Sequence, residues 1–131
     1  SSIMQQSLNI RKFTGFAFLA SILNTIIYFI ATSADATMEV AFGDTSQEIS
    51  FIMIFGVTQL SLVAAAYVVP RIGKKIEGFV SKSPLIGLVF GVVSAVAPFT
   101  AADDTKTAVA LASNHIVAGV LWYVGTKRSI K

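Results

Sequence analysis

Five polar side chains that could carry function lie within mostly apolar stretches of this 131-residue chain. They are Asn24, Gln59, Ser94, Asn114 and His115. Counted from one end of each stretch they lie about seven to nine residues in, which is roughly 10–14 Å along a helix. An amide or imidazole that faces hydrocarbon without a hydrogen-bond partner costs several kcal/mol. We therefore expect these side chains to face inward, in one polar layer, and to hydrogen-bond to one another.

The chemistry of such a layer has more than one interpretation. Amides and hydroxyls between membrane helices commonly hold the helices together, at about 0.6–2 kcal/mol per contact. The functional interpretation is a polar cavity in which His115, the titratable member, passes a proton or a cation. A third interpretation makes His115 an axial haem ligand, but the sequence supplies no evident second ligand.

Motifs for enzymatic chemistry are missing from the sequence. It contains no Ser/His/Asp set, no metal-ligand cluster and no phosphate-binding glycine loop. It also has no cysteine, which excludes disulfides, thiolate metal sites and thiol redox chemistry. The sequence therefore predicts a protein that is not an enzyme and that has no catalytic residue, metal or cofactor.

The apolar stretches that position the polar residues are long enough to cross a bilayer. They cover residues 13–31, 49–69, 84–100 and 108–125, and at about 1.5 Å per residue each spans roughly 26–32 Å. The chain is 54% hydrophobic and 13% charged, whereas a soluble domain is about one quarter charged. These features predict one domain over residues 1–131, an all-α integral membrane four-helix bundle.

Charged residues are sorted by side of this bundle. The acidic side holds Asp35, Glu39, Asp44, Glu48, Asp103 and Asp104. The other side holds the basic residues Arg71, Lys74, Lys75, Lys82, Lys127 and Arg128, together with Arg11, Lys12 and Lys131. Because basic loops resist translocation, this sorting predicts that both termini are cytoplasmic.

The same charges suggest which partners the protein has. Scattered basic residues beside the membrane favour contact with anionic lipid headgroups, at about 1 kcal/mol each, rather than with nucleic acid. The six acidic residues, which we call the acidic rim, have the carboxylates that a divalent cation would need. Acidic residues that are only solvated and that reflect the topology of the protein are the commoner case.

Within the first outer loop, the alternation of Met38, Val40 and Phe42 with less apolar residues is typical of a strand. Gly43 and Asp44 follow and favour a turn. The sequence therefore permits a short strand or hairpin on the outer side.

Signals for helix ends and interfaces can also be found. Thr45 and Glu48 have the spacing of a capping box before the second span, and Ser83 with Pro84 resembles the start of the third. Trp122 is expected at the inner membrane interface.

Residues 85–125 resemble a family of small four-helix bacterial membrane proteins, known mainly from actinobacteria and only as a domain of unknown function. The resemblance rests on Ser94-x-x-x-Pro98 followed by Thr107-x-x-x-Leu111-x-x-x-His115. In that family the residue before the histidine is often Met, where this chain has Asn114. The resemblance implies the fold and a location in the bacterial cell membrane, but no activity.

Two hypotheses from different classes follow, and a third, a carrier of a lipid or hydrophobic ligand in an outer cavity, is not separated from them by the sequence. The leading one is a non-enzymatic membrane protein with a structural, accessory or partner-binding role, whose partner is a membrane protein or another copy. Gly87-x-x-x-Gly91 supplies a face for close helix packing, within the chain or between copies. The alternative is a small homo-oligomeric transporter or channel for cations or protons that uses the polar layer.

Overall fold

The computed structural model describes residues 6–131 and shows long helices joined by short connections. Helix α1 spans Ile10–Ser33, α2 Phe51–Gly73, α3 Phe79–Ser94, α4 Pro98–Ala101 and α5 Thr105–Ser129. Within the described residues, four helical segments are long and apolar enough to cross a membrane, and the third runs through both α3 and α4. The predicted all-α four-helix membrane bundle is confirmed.

Helices α1 and α2 start at side-chain caps that were not predicted from the sequence. The Asn9 side chain accepts a hydrogen bond from the Lys12 amide at 3.2 Å before α1. Ser50 does the same for the Met53 amide at 3.2 Å before α2. Each cap satisfies one of the amide groups that the first turn of a helix leaves without a partner.

Both predicted helix starts are wrong. Thr45–Glu48 is a β-strand, and Ser83 and Pro84 lie inside α3, which begins at Phe79. The chain reverses instead at Gly78, whose φ of 79° lies in the left-handed region that glycine tolerates.

Pro84 fits inside α3 because its neighbour replaces the hydrogen bond that proline cannot donate. A proline leaves the carbonyl four residues earlier without its helical partner. Here that carbonyl belongs to Val80, and the Ser83 hydroxyl donates to it at 2.7 Å. The helix therefore continues through a position that the sequence predicted to be its first turn.

The predicted hairpin is present at the opposite end of the bundle from the chain termini. Strand β1 (Glu39–Phe42) pairs antiparallel with β2 (Thr45–Glu48), with Phe42 opposite Thr45. Gly43 occupies the turn with a φ of 61°. We call this part of the bundle the hairpin end.

Hydrogen bonds donated by backbone amides fasten the hairpin to the start of α5. The Asp103 amide donates to the Glu39 carbonyl at 2.9 Å, and the Met38 amide donates to the Thr107 hydroxyl at 2.9 Å. Met38 is buried as a result. The hairpin therefore covers the bundle rather than extending freely into solvent.

The helices are arranged around the bundle in the order α2, α1, α5, α3. Helix α1 packs along both α2 and α5, and α5 packs along α3, whereas α2 and α3 touch little. Their contact includes the connecting turn, where Gly73 lies against Val80. The gap between α2 and α3 is the main irregularity of the bundle.

The two chain ends meet at what we call the termini end. Leu8 and Ile130 form an antiparallel bridge, and the Asn9 amide donates to the Ser129 carbonyl at 2.8 Å. These bonds join the start of α1 to the end of α5.

Trp122 lies in the core of the bundle, with its ring turned away from the lipid. It is 5% exposed, and its ring meets the Phe13 ring edge-on at 5.2 Å. The indole Nε1 donates to the Ser83 carbonyl at 2.8 Å. A buried indole needs such an acceptor, and α3 supplies it.

Glycines bring α3 and α5 close together. A Cβ added at Gly91 would lie 2.7 Å from the Gly119 Cα and 2.9 Å from the His115 carbonyl oxygen. A Cβ at Gly87 would overlap the indole of Trp122. The predicted close-packing face of α3 therefore packs within the chain, against α5.

Candidate functional site

A groove of about 820 Å³ separates α2 from α3 along much of the bundle. Its floor is α5, with Leu111, Asn114 and Trp122 among the lining residues. It reaches from Val69 at the termini end to Phe42 of the hairpin. Its volume is within the range of small-molecule sites, roughly 300–1,000 Å³.

The walls of the groove are apolar and uncharged. Large side chains such as Val57 on α2 and Phe90 on α3 are 64% and 73% exposed. None of the described residues that line the groove is Asp, Glu, Lys or Arg. The polar groups are few: hydroxyls, two asparagines and one histidine.

Part of the predicted polar layer links α1, α2 and α5. The Asn24 side chain is 1% exposed, and its Nδ2 donates to the Thr58 hydroxyl at 3.1 Å and to the Asn114 carbonyl at 3.2 Å. One turn away, the single proton of the Ser21 hydroxyl is shared between Gln59 Oε1 at 3.0 Å and the Ala17 carbonyl at 2.9 Å. We call these residues the amide cluster.

Sequence analysis missed the hydroxyl partners in this cluster. Neither Ser21 nor Thr58 was predicted to be a hydrogen-bond partner. The available signal was their spacing, because Ser21 lies one helical turn before Asn24 and Thr58 directly precedes Gln59.

The rest of the layer joins α3 to α5. The Ser94 hydroxyl lies 2.9 Å from His115 Nδ1 and also donates to the Gly91 carbonyl at 3.1 Å. A serine has one hydroxyl proton, so both contacts are satisfied together only when Nδ1–H of the imidazole donates to Ser94. In the uncharged ring, Nε2 is then a hydrogen-bond acceptor.

The layer is therefore divided rather than continuous. Gln59 does not line the groove, whereas Asn24, Ser94, Asn114 and His115 do. The Oδ1 atoms of both asparagines are buried without a hydrogen-bond partner among residues 6–131. Because both oxygen atoms are buried, neither is open to the groove.

The acidic side chains lie towards the hairpin end but do not form one cluster. The Thr37 hydroxyl donates to Asp104 at 3.1 Å and lies 3.5 Å from Asp103. Glu39 instead accepts from Ser46 at 3.2 Å. Among the described residues, no group of three or more His, Asp or Glu side chains is placed to hold a metal ion.

Asp104 is the acid whose ionisation the structure perturbs. Polar contact with the Thr107 side chain, followed by the hydrogen bond from Thr37, holds the pKa of the carboxyl below its ordinary value of 3.8. Asp104 also directly precedes α5, and a negative charge at the N-terminus of a helix interacts favourably with the helix dipole.

The basic residues of the connections lie at the termini end. The Arg71 guanidinium donates to the Tyr67 carbonyl at 2.7 Å, and the Lys127 ammonium lies 5.2 Å from the centre of the Tyr123 ring. Lys74, Lys75, Lys82 and Arg128 are exposed there. Apart from Lys106 at the hairpin end and Glu77 at the termini end, basic and acidic side chains thus occupy opposite ends of the bundle.

Together, the fold and the groove define a small four-helix membrane protein whose bundle is open on one side. The chain belongs to the DUF6069 family, a family of unknown function whose model matches residues 6–131. No curated protein and no solved structure matches the chain.

Proposed function

We propose that this chain is a non-enzymatic protein of the bacterial plasma membrane that binds a hydrophobic partner in the groove between α2 and α3. The observation that carries the proposal is the groove itself, an uncharged apolar site that extends through much of the bundle. A partner already dissolved in the bilayer would enter it sideways, between the two helices.

The packing of the other helices supports a preformed site. Helix α5 is held against α1 and α3, and it forms the floor. The close approach of Gly91 and Gly119 fixes the α3 wall. The bonds from Asn24 to Thr58 and from Ser21 to Gln59 hold the α2 wall. Sites of this kind bind ligands without a large change in shape.

The proposed orientation places both termini in the cytoplasm. Its support is the separation of charge, with the basic side chains at the termini end and the acids towards the hairpin end. In this orientation the exposed basic residues contact anionic headgroups of the inner leaflet.

Native mass spectrometry of gently extracted protein tests the proposal with a matched pair of variants. Ala118 lines the groove on α5, whereas Val120 is exposed on the same helix outside it. We expect a bound partner that Ala118→Phe removes and Val120→Phe retains. A partner retained equally by both variants, or no bound partner at all, would reject the groove as its site.

The transporter or channel remains the alternative because His115 is exposed at about half the depth of the bundle and the acids lie towards one mouth. Acidic side chains at the mouth of a pore favour the passage of cations. Flux into reconstituted vesicles that depends on His115 and persists in Ala118→Phe would favour this alternative over the proposed partner-binding role.

A further inference from the structure

We infer that a pocket at the termini end, between the start of α1 and the last turns of α2, binds the phosphate group of an anionic phospholipid. The pocket has a volume of about 300 Å³ and shares no lining residue with the groove between α2 and α3. The inference therefore adds a second site and does not depend on what the groove binds.

Two basic side chains give the pocket its charge. Arg71 and Lys74 lie one helical turn apart at the end of α2, and both line the pocket. None of the described residues that line it is Asp or Glu. The Arg71 guanidinium uses one of its five N–H groups on the Tyr67 carbonyl, at 2.7 Å, and Tyr67 also lines the pocket. A guanidinium pairs with two oxygen atoms of a phosphate, and Lys74 supplies a second positive charge.

The start of α1 adds to this positive potential. Its first residue, Ile10, lines the pocket, so the positive end of the helix dipole lies there. The Asn9 side chain caps the Lys12 amide, whereas the first turn of a helix leaves four amides without a helical partner. The helix end thus reinforces a site that the two basic side chains define.

The side of the pocket that faces α2 is a fixed part of the fold. Leu8, which lines the pocket, forms the antiparallel bridge with Ile130 and is 5% exposed. Ser7, also in the lining, accepts a hydrogen bond from the Lys131 amide at 3.0 Å. Because both chain ends hold this wall in place, the pocket exists before a ligand binds.

The order of polarity along α2 favours a phospholipid over a free phosphate. The lining extends from Ala66 to Lys74, about 12 Å at 1.5 Å per residue. Its inner part is apolar at Ala66, and the half-exposed Tyr67 follows, an aromatic residue typical of membrane interfaces. Arg71 and Lys74 lie one and two turns further out. Charge outside and hydrocarbon inside is the order of a phospholipid in its leaflet, whereas a free phosphate would leave the apolar part unfilled.

The test counts the lipids that remain bound to the protein in a neutral detergent, by native mass spectrometry. The probes are palmitoyl-oleoyl phosphatidylglycerol and the phosphatidylcholine with the same chains, which has no net charge. We expect one phosphatidylglycerol per chain, bound several-fold more tightly than phosphatidylcholine. Ala118→Phe, which fills the groove, should retain this lipid. Glycerol phosphate, which is the headgroup without its chains, should not displace it.

Two double variants that remove the same charge locate the bound lipid. Arg71→Gln with Lys74→Gln should lower the affinity for phosphatidylglycerol about tenfold or more. Lys75→Gln with Lys82→Gln is the matched control, since both lysines are exposed at the termini end but do not line the pocket. We expect it to lower the affinity less than about threefold. All four side chains are exposed, so both double variants should keep the fold.

Equal losses of affinity in the two double variants would overturn the inference, because overall charge alone would then hold the lipid. Equal binding of the two lipids would also overturn it. Displacement by glycerol phosphate would assign the pocket to a soluble phosphate compound instead. A lipid that Ala118→Phe removes and the Arg71 and Lys74 substitutions retain would lie in the groove, which would overturn this inference and support the proposed function.

Discussion

Helix α3 has two neighbours and packs against them in opposite ways. Against α5 it presents Gly87 and Gly91, and the two backbones come into contact. Towards α2 it presents bulky exposed side chains such as Phe90, and a groove remains. Both faces are apolar, so apolarity does not explain the difference. In a membrane, small residues and hydrogen bonds decide which helices pair, because lipid covers any apolar face equally well.

The largest expected effect comes from removing the main side chain of the α3–α5 interface. Trp122→Ala deletes the edge contact with Phe13 and the bond to the Ser83 carbonyl, and it leaves a cavity. We expect a loss of about 3–5 kcal/mol in the free energy of unfolding, measured by reversible unfolding in detergent micelles. Val120→Ala, on the exposed face of α5, should cost less than about 1 kcal/mol. Similar losses in the two variants would contradict the core position of Trp122.

Gly91→Ala tests whether the α3–α5 interface depends on close backbone approach. The new Cβ would press on backbone atoms of Gly119 and His115, which cannot move aside separately from the helix. We expect a loss of about 1–3 kcal/mol in the same assay. Gly56→Ala on α2 is the matched control, since a Cβ there meets nothing within 4 Å. It should instead be neutral or stabilise α2 by about 0.5–1 kcal/mol. If Gly91→Ala leaves the free energy of unfolding unchanged, the α3–α5 interface does not depend on close backbone approach.

A smaller loss in the free energy of unfolding is expected when a hydrogen bond that holds α2 is removed. Thr58→Val keeps the shape of the side chain and removes the acceptor of Asn24 Nδ2. We expect a loss of about 0.6–1.7 kcal/mol. Thr25→Val removes only a bond to the Ser21 carbonyl of its own helix and should cost less. If the two substitutions cost the same, the interhelical bond does not hold α2.

The smallest expected effect is a loss of stability at the hairpin end at acid pH. The pKa of Asp104 is lower in the folded protein than its ordinary value of 3.8, so its contribution to stability is fully present above that value. The contribution is lost as pH falls through the lower, folded pKa. We expect faster hydrogen exchange at the Met38 amide below about pH 4 than at neutral pH, after correction for intrinsic rates. Asp104→Asn should remove this dependence; a variant that keeps it would assign the effect to another acid.

The sequence predicted the spans and the hairpin because hydropathy and turn chemistry act locally. The alternation around Val40 and the turn at Gly43 are examples. It did not predict which helices are neighbours, because buried and lipid-facing residues of a membrane helix are both apolar. Trp122 shows the ambiguity, since tryptophan suits both an interface and a core with an available carbonyl. The start of α3 was missed because Ser83 and Pro84 form a good helix start and also an acceptable helix interior.

The polar layer could be predicted in part from the sequence. Amides in apolar stretches mark a need for partners, and Asn24, Asn114 and His115 were found on that basis. The partition of the layer depends on the rotation of each helix about its axis, which only the packed bundle sets. The sequence suggested a polar cavity at His115, but it did not predict a mostly apolar groove between α2 and α3, since this results from a gap between helices rather than from any one residue.

The bond from Asn24 to the Asn114 carbonyl has a consequence for biosynthesis. Its two residues are 90 positions apart in the chain, and Thr58 lies 34 positions after Asn24. At about 5–20 residues per second, the ribosome needs roughly 5–18 s to reach Asn114 after Asn24. During that interval the first span carries an amide whose final partner has not been made. We expect the Asn24 amide to pair first with Thr58 of α2, and to gain its second partner only when the last helix arrives.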